Sequence, residues 1–209
     1  MLNEIRTGPG CVWLPRVILI GGSNLAFGID SQLLAQKLGA PVVNYGLEGG
    51  LGLTILLNSL QDNMRPGDIV VISPEYELFY NNLVDGEAVT LAQLLEVDPE
   101  FLRYFPIRDW LDIGPIYVTL AQIKVMRQLM IMTETADTKT VYKRSCFDPK
   151  SGDEVCQLGL PNLPDKLIYS GPFILKDTSA DSIAIDAINH FSAIAREKGA
   201  VVLYDYPPE

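Results

Sequence analysis

The sequence predicts an α/β domain wound on both faces of a parallel sheet. Short uninterrupted apolar runs recur along it, segments with helical spacing separate them, and the connections are short and rich in glycine and proline. Runs such as RVILIG suit strands buried on both faces, and the helices between them supply the crossovers that parallel strands require.

RVILIG (16–21) is the first expected strand and ends in a Gly-Gly-Ser turn. SQLLAQKLG (31–39) follows as a helix, with Asp30 or Ser31 as N-cap and Gly39 as C-cap before Pro41. VVNYG (42–46) is the second strand, LTILLNSLQDNM (53–64) a helix stopped by RPGD, and DIVVIS (68–73) the third strand. From about Phe79 to Ala180 the rhythm breaks, because one crossover does not need a hundred residues, so this stretch is expected to be an insertion. Inside it PEFLRYF (99–105) reads as one or two helical turns and IYVTLAQIKVMRQLMIM (116–132) as an amphipathic helix. KTVYKRSCF and DEVCQLG read as two strands around PKSG, before the Pro-rich loop 160–166. A helix over 179–199 then restores the crossover, with Ala184, Ala187, Ile188, Phe191 and Ala195 on one face. AVVLYDYP (200–207) is the fourth buried strand, and residues 1–209 are read as one domain.

The chain carries 26 acidic and 16 basic residues, a formal net charge of −10, so its average field repels phosphate backbones and anionic lipid, and nucleic acid is not an expected partner. No apolar run reaches the roughly 20 residues of a spanning helix, so no membrane span is expected. The first ten residues lack the basic and apolar regions of a signal peptide. Cys11, Cys146 and Cys156 show no metal-ligand spacing, and neither a metal nor another cofactor is expected. Cys146 and Cys156 flank FDPKSGDEV and either bridge across it in an oxidising compartment or remain free thiols. The phosphate-loop pattern lacks its lysine in GGSNLAFG, and LEGGLGLT lacks the dinucleotide spacing.

In a doubly wound sheet ligands gather at the carboxyl ends of the strands, which points to the loops GGSNLAFG, NYGLEGG and SPEYE. Ser23 directly follows the first strand, where a hydroxyl is exposed and backbone N–H groups face what it attacks. A capping or turn serine explains the same residue without chemistry. Gly49 and Gly50 let backbone approach a ligand, Asn24 and Asn44 are polar groups at the same edge, and Glu48, Glu75 and Glu77 are carboxylates there. Tyr76, Phe79 and Tyr80 offer an apolar wall. His190, the chain's single histidine, falls in the last helix and reads as structural.

LIGGSNLAFGIDS followed by VVNYGLEGG resembles the first two blocks of the SGNH, or GDSL-like, hydrolases. The resemblance implies a flavodoxin-like three-layer α/β sandwich of SGNH type, with a large insertion after the third strand. It implies a serine esterase or O-acyltransferase acting on a small ester or an acylated glycan, with Ser23 as nucleophile and Gly49 as oxyanion donor. The third block departs from the family: Tyr76 stands where the oxyanion asparagine is expected and Glu77 where an aspartate follows. The family's terminal Asp-x-x-His block is expected beyond Glu209, which leaves this stretch nearly inert by itself. The insertion and its cysteine pair resemble cell-envelope relatives that act on polysaccharide acyl groups, which implies an extracytoplasmic setting. The alternative is a non-catalytic glycan- or protein-binding module on a degenerate SGNH fold.

Overall fold

The computed structural model describes residues 14–79, 84–105, 110–131, 144–156 and 182–205. Four strands form one parallel sheet in the order β2-β1-β3-β4: β1 (Val17–Gly21), β2 (Val42–Gly46), β3 (Ile69–Ser73) and β4 (Val201–Tyr204). The order reverses beside β1, so the crevice between the ends of β1 and β3 is the switch point.

Alternate side chains of the buried strands feed two apolar layers. Ile18, Ile20, Val70 and Ile72 pack with α3 (Leu53–Gln61), α4 (Ala88–Val97) and α6 (Ser182–Glu197), where Leu56, Leu60, Leu91 and Phe191 are buried. Leu19 and Val42 pack on the opposite face with Leu25 of α1 (Ser23–Gly28) and with Leu34 and Ala35 of α2 (Ser31–Leu38). Asp30 caps α2 by accepting from Leu33 N–H at 2.8 Å, and Gly39 closes it at φ +65°, a conformation suited to glycine.

Several expectations are corrected. GGSNLAFG is not a loop throughout, since Ser23 opens α1, six residues with Leu25 and Ala26 buried. The helix predicted over 116–132 begins six residues earlier, as α5 (Trp110–Ile131), and takes Pro115 in its first turns. Pro115 is the sixth residue of α5, past the first turn, and so removes the bond that an amide there would make to the Leu111 carbonyl. Helix α4 has no counterpart in the predicted elements. The two strands around PKSG reduce to one antiparallel bridge, Phe147 to Glu154, within the described part 144–156; the loop 160–166 lies outside the described residues. β4 is not buried on both faces: Val201 is 54% and Leu203 52% exposed. It is the sheet's edge strand, with α6 against one face and no described element against the other. No helix among the described residues is long and apolar enough to cross a membrane.

At the amino ends of the strands Arg16 and Asp68 form a buried pair. Arg16 Nε donates to Asp68 Oδ1 at 3.1 Å and Arg16 Nη2 to Oδ2 at 2.6 Å. The backbone N–H groups of Arg16 and Arg65 also donate to that carboxylate, at 3.3 and 2.9 Å. The pair ties the entrances of β1 and β3 together. Asp68→Ala leaves a guanidinium 5% exposed without its counter-charge, so urea denaturation should show a loss of about 3–5 kcal/mol; a loss below about 1 kcal/mol would mean the pair stabilises nothing.

Candidate functional site

β1 pairs residue for residue with both neighbours, Gly21 opposite Gly46 on one side and Ser73 on the other. The three strands therefore end level, and the next few residues of each meet over the switch point. Ser23 lies two residues past β1, Gly49 three past β2, and Glu75 two past β3.

Ser23 Oγ donates to Glu75 Oε1 at 2.7 Å, and the Asn24 backbone N–H donates to the same oxygen at 3.1 Å. The carboxylate lies against two glycines. A Cβ on Gly22 would sit 2.7 Å from Glu75 Oε1, and one on Gly49 would sit 2.5 Å from Oε2. Both positions must lack a side chain for the carboxylate to reach the hydroxyl, a packing demand and not a dihedral one, since neither glycine has a positive φ.

These residues open into a cleft of about 630 Å³ that Leu47, Glu48, Gly50, Glu87, Phe27 and Phe147 also line. The size falls in the range of small-molecule sites. Phe27 and Phe147 meet edge to face with centroids 6.5 Å apart, giving the cleft an aromatic wall. Among the described residues its charged lining side chains are all carboxylates: Glu48, Glu75 and Glu87.

Phe147 belongs to a loop closed by the Cys146–Cys156 disulfide, with Cα atoms 5.1 Å apart. Asp153, 3% exposed, pins that loop to the sheet. Its carboxylate accepts from Ser31 N–H at 2.8 Å, Ser31 Oγ at 2.7 Å and Asn44 Nδ2 at 2.9 Å. Asn44 N–H donates to Ser151 O at 2.7 Å, and Glu154 N–H to Ala26 O at 3.1 Å. Asp148 organises the turn, and the Lys150 backbone N–H, with help from Ser151, holds its carboxyl below the usual aspartate value.

The sequence-predicted residues divide accordingly. Ser23, Gly49, Glu48 and Glu75 come together, and Gly50 lines the same cleft. Glu75, not Tyr76, is the β3-loop residue against Ser23; Tyr76 begins the 3-10 turn Tyr76–Phe79 that follows, and Glu77 is the second residue of that turn. Asn24 contributes its backbone N–H, while its Nδ2 donates to Ser73 O at 3.2 Å and its Oδ1 is buried without a partner. Asn44 is structural, with its Nδ2 spent on Leu25 O and Asp153 and its Oδ1 accepting from Gly46 N–H. His190 is exposed on α6, a helix that does not line the cleft. Phe27, Phe147 and Glu87 were not among the predicted site residues; only their place in the fold brings them here. One set of metal-ligating side chains clusters among the described residues, Cys146, Glu154 and Cys156, and the disulfide occupies both sulfurs. Comparison with family models, curated proteins and solved structures finds no match to this chain.

Two outcomes test this geometry. Gly49→Ala should cost about 1 kcal/mol, because the atoms it meets are the free end of the Glu75 side chain, which yields by turning away from Ser23. In a Glu75→Ala background most of that cost should vanish, a coupling of about 1 kcal/mol in a double-mutant cycle of denaturation midpoints. Strict additivity would mean that the carboxylate does not sit on Gly49. Peptide mapping without reductant should recover Cys146 joined to Cys156, and reduction should lower stability by about 3 kcal/mol, the entropy of a loop this short.

Proposed function

We propose that the cleft is an SGNH-type acyl-ester site, hydrolase or O-acyltransferase, with Ser23 as nucleophile and Glu75 as acceptor of its proton. The observation that carries this reading is the 2.7 Å hydrogen bond from Ser23 Oγ to a carboxylate within a glycine-lined cleft at the switch point. A serine hydroxyl is a poor nucleophile until a base takes its proton, and no described imidazole lines the cleft.

In this reaction Ser23 Oγ bonds to the ester carbonyl carbon while its proton passes to Glu75 Oε1. Neutralising the carboxylate removes the negative charge beside the carbonyl oxygen, which develops its own charge next to the backbone N–H groups of this edge. The protonated Glu75 then returns the proton to the departing alkoxide, leaving an acyl-serine. Water completes hydrolysis; an acceptor hydroxyl completes transfer. A carboxylate is a weaker base than imidazole, so turnover through this pair is slow. An Asp-x-x-His supplied from sequence beyond Glu209 would raise it.

The class of substrate follows from the lining. Phe27 and Phe147 provide apolar faces, and Glu48 and Glu87 provide acceptors for hydroxyl groups, which together suit an O-acylated sugar. The disulfide fits an oxidising compartment, in keeping with a cell-envelope setting. One observation favours a second reading, a non-catalytic module that binds an acylated glycan: the Glu75 carboxylate already fills the ground between Gly22, Ser23 and Gly49 where a carbonyl oxygen would enter.

The two readings part on activity. Slow hydrolysis of p-nitrophenyl acetate and labelling by a fluorophosphonate are expected, both abolished by Ser23→Ala. Glu75→Gln should lower kcat about a hundredfold, the contribution of a positioned base. Hydrolysis that survives Ser23→Ala sinks the nucleophile assignment. Silence toward both reagents, with retained binding of an acetylated oligosaccharide, selects the binding module.

A further inference from the structure

The loop that walls the cleft is anchored to the fold by one arm. Residues 151–154 make the attachment: Ser151 O accepts from Asn44 N–H, the Asp153 carboxylate accepts from Ser31 and Asn44, and Glu154 N–H donates to Ala26 O. The arm that carries Phe147 has no such attachment. Among the described residues, 146–149 make no hydrogen bond outside the loop. Their backbone bonds cross to the anchored arm, with Asp148 N–H donating to Asp153 O at 2.9 Å and Val155 N–H to Cys146 O at 2.8 Å. The Phe147 ring meets Phe27, and the Cys146–Cys156 disulfide ties the two arms covalently.

The two sulfurs differ in access. Cys146 is 6% exposed and Cys156 is exposed, so an external thiolate reaches Cys156 Sγ and Cys146 Sγ is the leaving group.

We propose that Cys146–Cys156 is a thiol–disulfide exchange site that switches the cleft between a fixed and a loose wall, with a dithiol as the reductant. The first thiolate of the dithiol bonds to Cys156 Sγ as the S–S bond breaks, and Cys146 Sγ leaves with the electron pair and takes a proton. The second thiol of the dithiol then bonds to the first, and Cys156 departs as a thiol. The protein gains two electrons and two protons, and the reductant closes into a cyclic disulfide. Asp153 keeps the anchored arm on the sheet throughout. What holds Phe147 afterwards is one ring contact and a hairpin with a single bridge, Phe147 to Glu154, and a hairpin that small is marginal in water. Each ligand must then order the wall for itself. The acyl-ester reading supplies the kind of ligand; the switch in the wall stands apart from it.

Cys11→Ser leaves Cys146 and Cys156 as the chain's only cysteines. In that background, 4-fluorophenylalanine in place of Phe147 reports the wall by fluorine NMR. Under dithiothreitol, iodoacetamide should label both cysteines, while the far-UV circular dichroism stays that of the oxidised protein. The fluorine signal should narrow and move toward that of the free amino acid. Binding of acetylated xylotriose should weaken about tenfold, because ordering the wall now counts against the ligand. Cys146→Ser combined with Cys156→Ser should show the loose wall and the weak binding without any reductant. A fluorine signal that is the same in the oxidised and reduced proteins overturns the switch. So does equal affinity for the oligosaccharide in the two forms, or loss of the circular dichroism on reduction, which would make the disulfide a brace for the whole fold. Absence of Ser23-dependent ester cleavage, with the fluorine response intact, counts against the ester reading and supports the switch.

Discussion

The level register of β1, β2 and β3 is the constraint on which the site depends. Because Gly21, Gly46 and Ser73 stand side by side, a fixed small number of residues past each strand brings a hydroxyl, a glycine turn and a carboxylate to one point. A slip of one residue would turn every side chain of the slipped strand to the opposite face. Both faces of β1 are buried, so a slip must repack two apolar layers at once, and the register is strongly held. Arg16 and Asp68 fix the entrance of the same two strands whose exits carry Ser23 and Glu75. One end of the sheet is held by this ion pair, and the other carries the cleft.

Glu75 gives the cleft its particular character. Its carboxylate accepts from a hydroxyl and a backbone N–H and rests on two glycines, so its geometry is set from several sides. A neutral amide at that position would donate to an arriving carbonyl oxygen; a carboxylate repels one until it has taken a proton. In the proposed ester reaction, proton transfer and opening of the niche would therefore be coupled, with the same residue as acceptor and obstacle. With Glu48 and Glu87 beside it, the cleft repels anionic ligands and leaves neutral hydroxyl-rich ones unopposed.

The three central strands and the nearby helices were legible because buried parallel strands are written as uninterrupted apolar runs, and VILIG, VVNYG and IVVIS sit within a residue of the predicted bounds. Ser23 and Gly49 were legible from position alone. Glu75 was one of three candidate carboxylates, and its selection over Glu77 depends on how β3 hands over to the 3-10 turn at Tyr76, which no periodicity reports. Aligning the third block by motif put Tyr76 at the expected oxyanion position, whereas Glu75, two residues past β3 as Ser23 is two past β1, is the residue that meets the Ser23 hydroxyl. β4 looked like its buried neighbours because an apolar run records burial somewhere, not which element supplies it. Helix α4 escaped because VDGEAVTLAQLLEV is set off from β3 by the 3-10 turn Tyr76–Phe79 and falls where the strand–helix rhythm of the sequence breaks.

The wall contributed by residues 144–156 shows what local sequence could not convey. Cys146 and Cys156 bracket a turn, which is visible in the sequence; that the turn docks on β2 and α2 is not, because Asp153 is matched to Ser31 and Asn44 across more than a hundred residues. Three hydrogen bonds to one buried carboxylate make the docking costly to undo, since releasing Asp153 strands the Asn44 amide and the Ser31 hydroxyl together. The disulfide narrows the freedom of the loop before it docks, and Asp153 fixes it once docked. Phe147 is thereby held in the wall of the cleft by contacts within the protein itself. A ligand entering there meets a wall already in place, and the ordering entropy that a mobile wall would charge against binding has been met in folding.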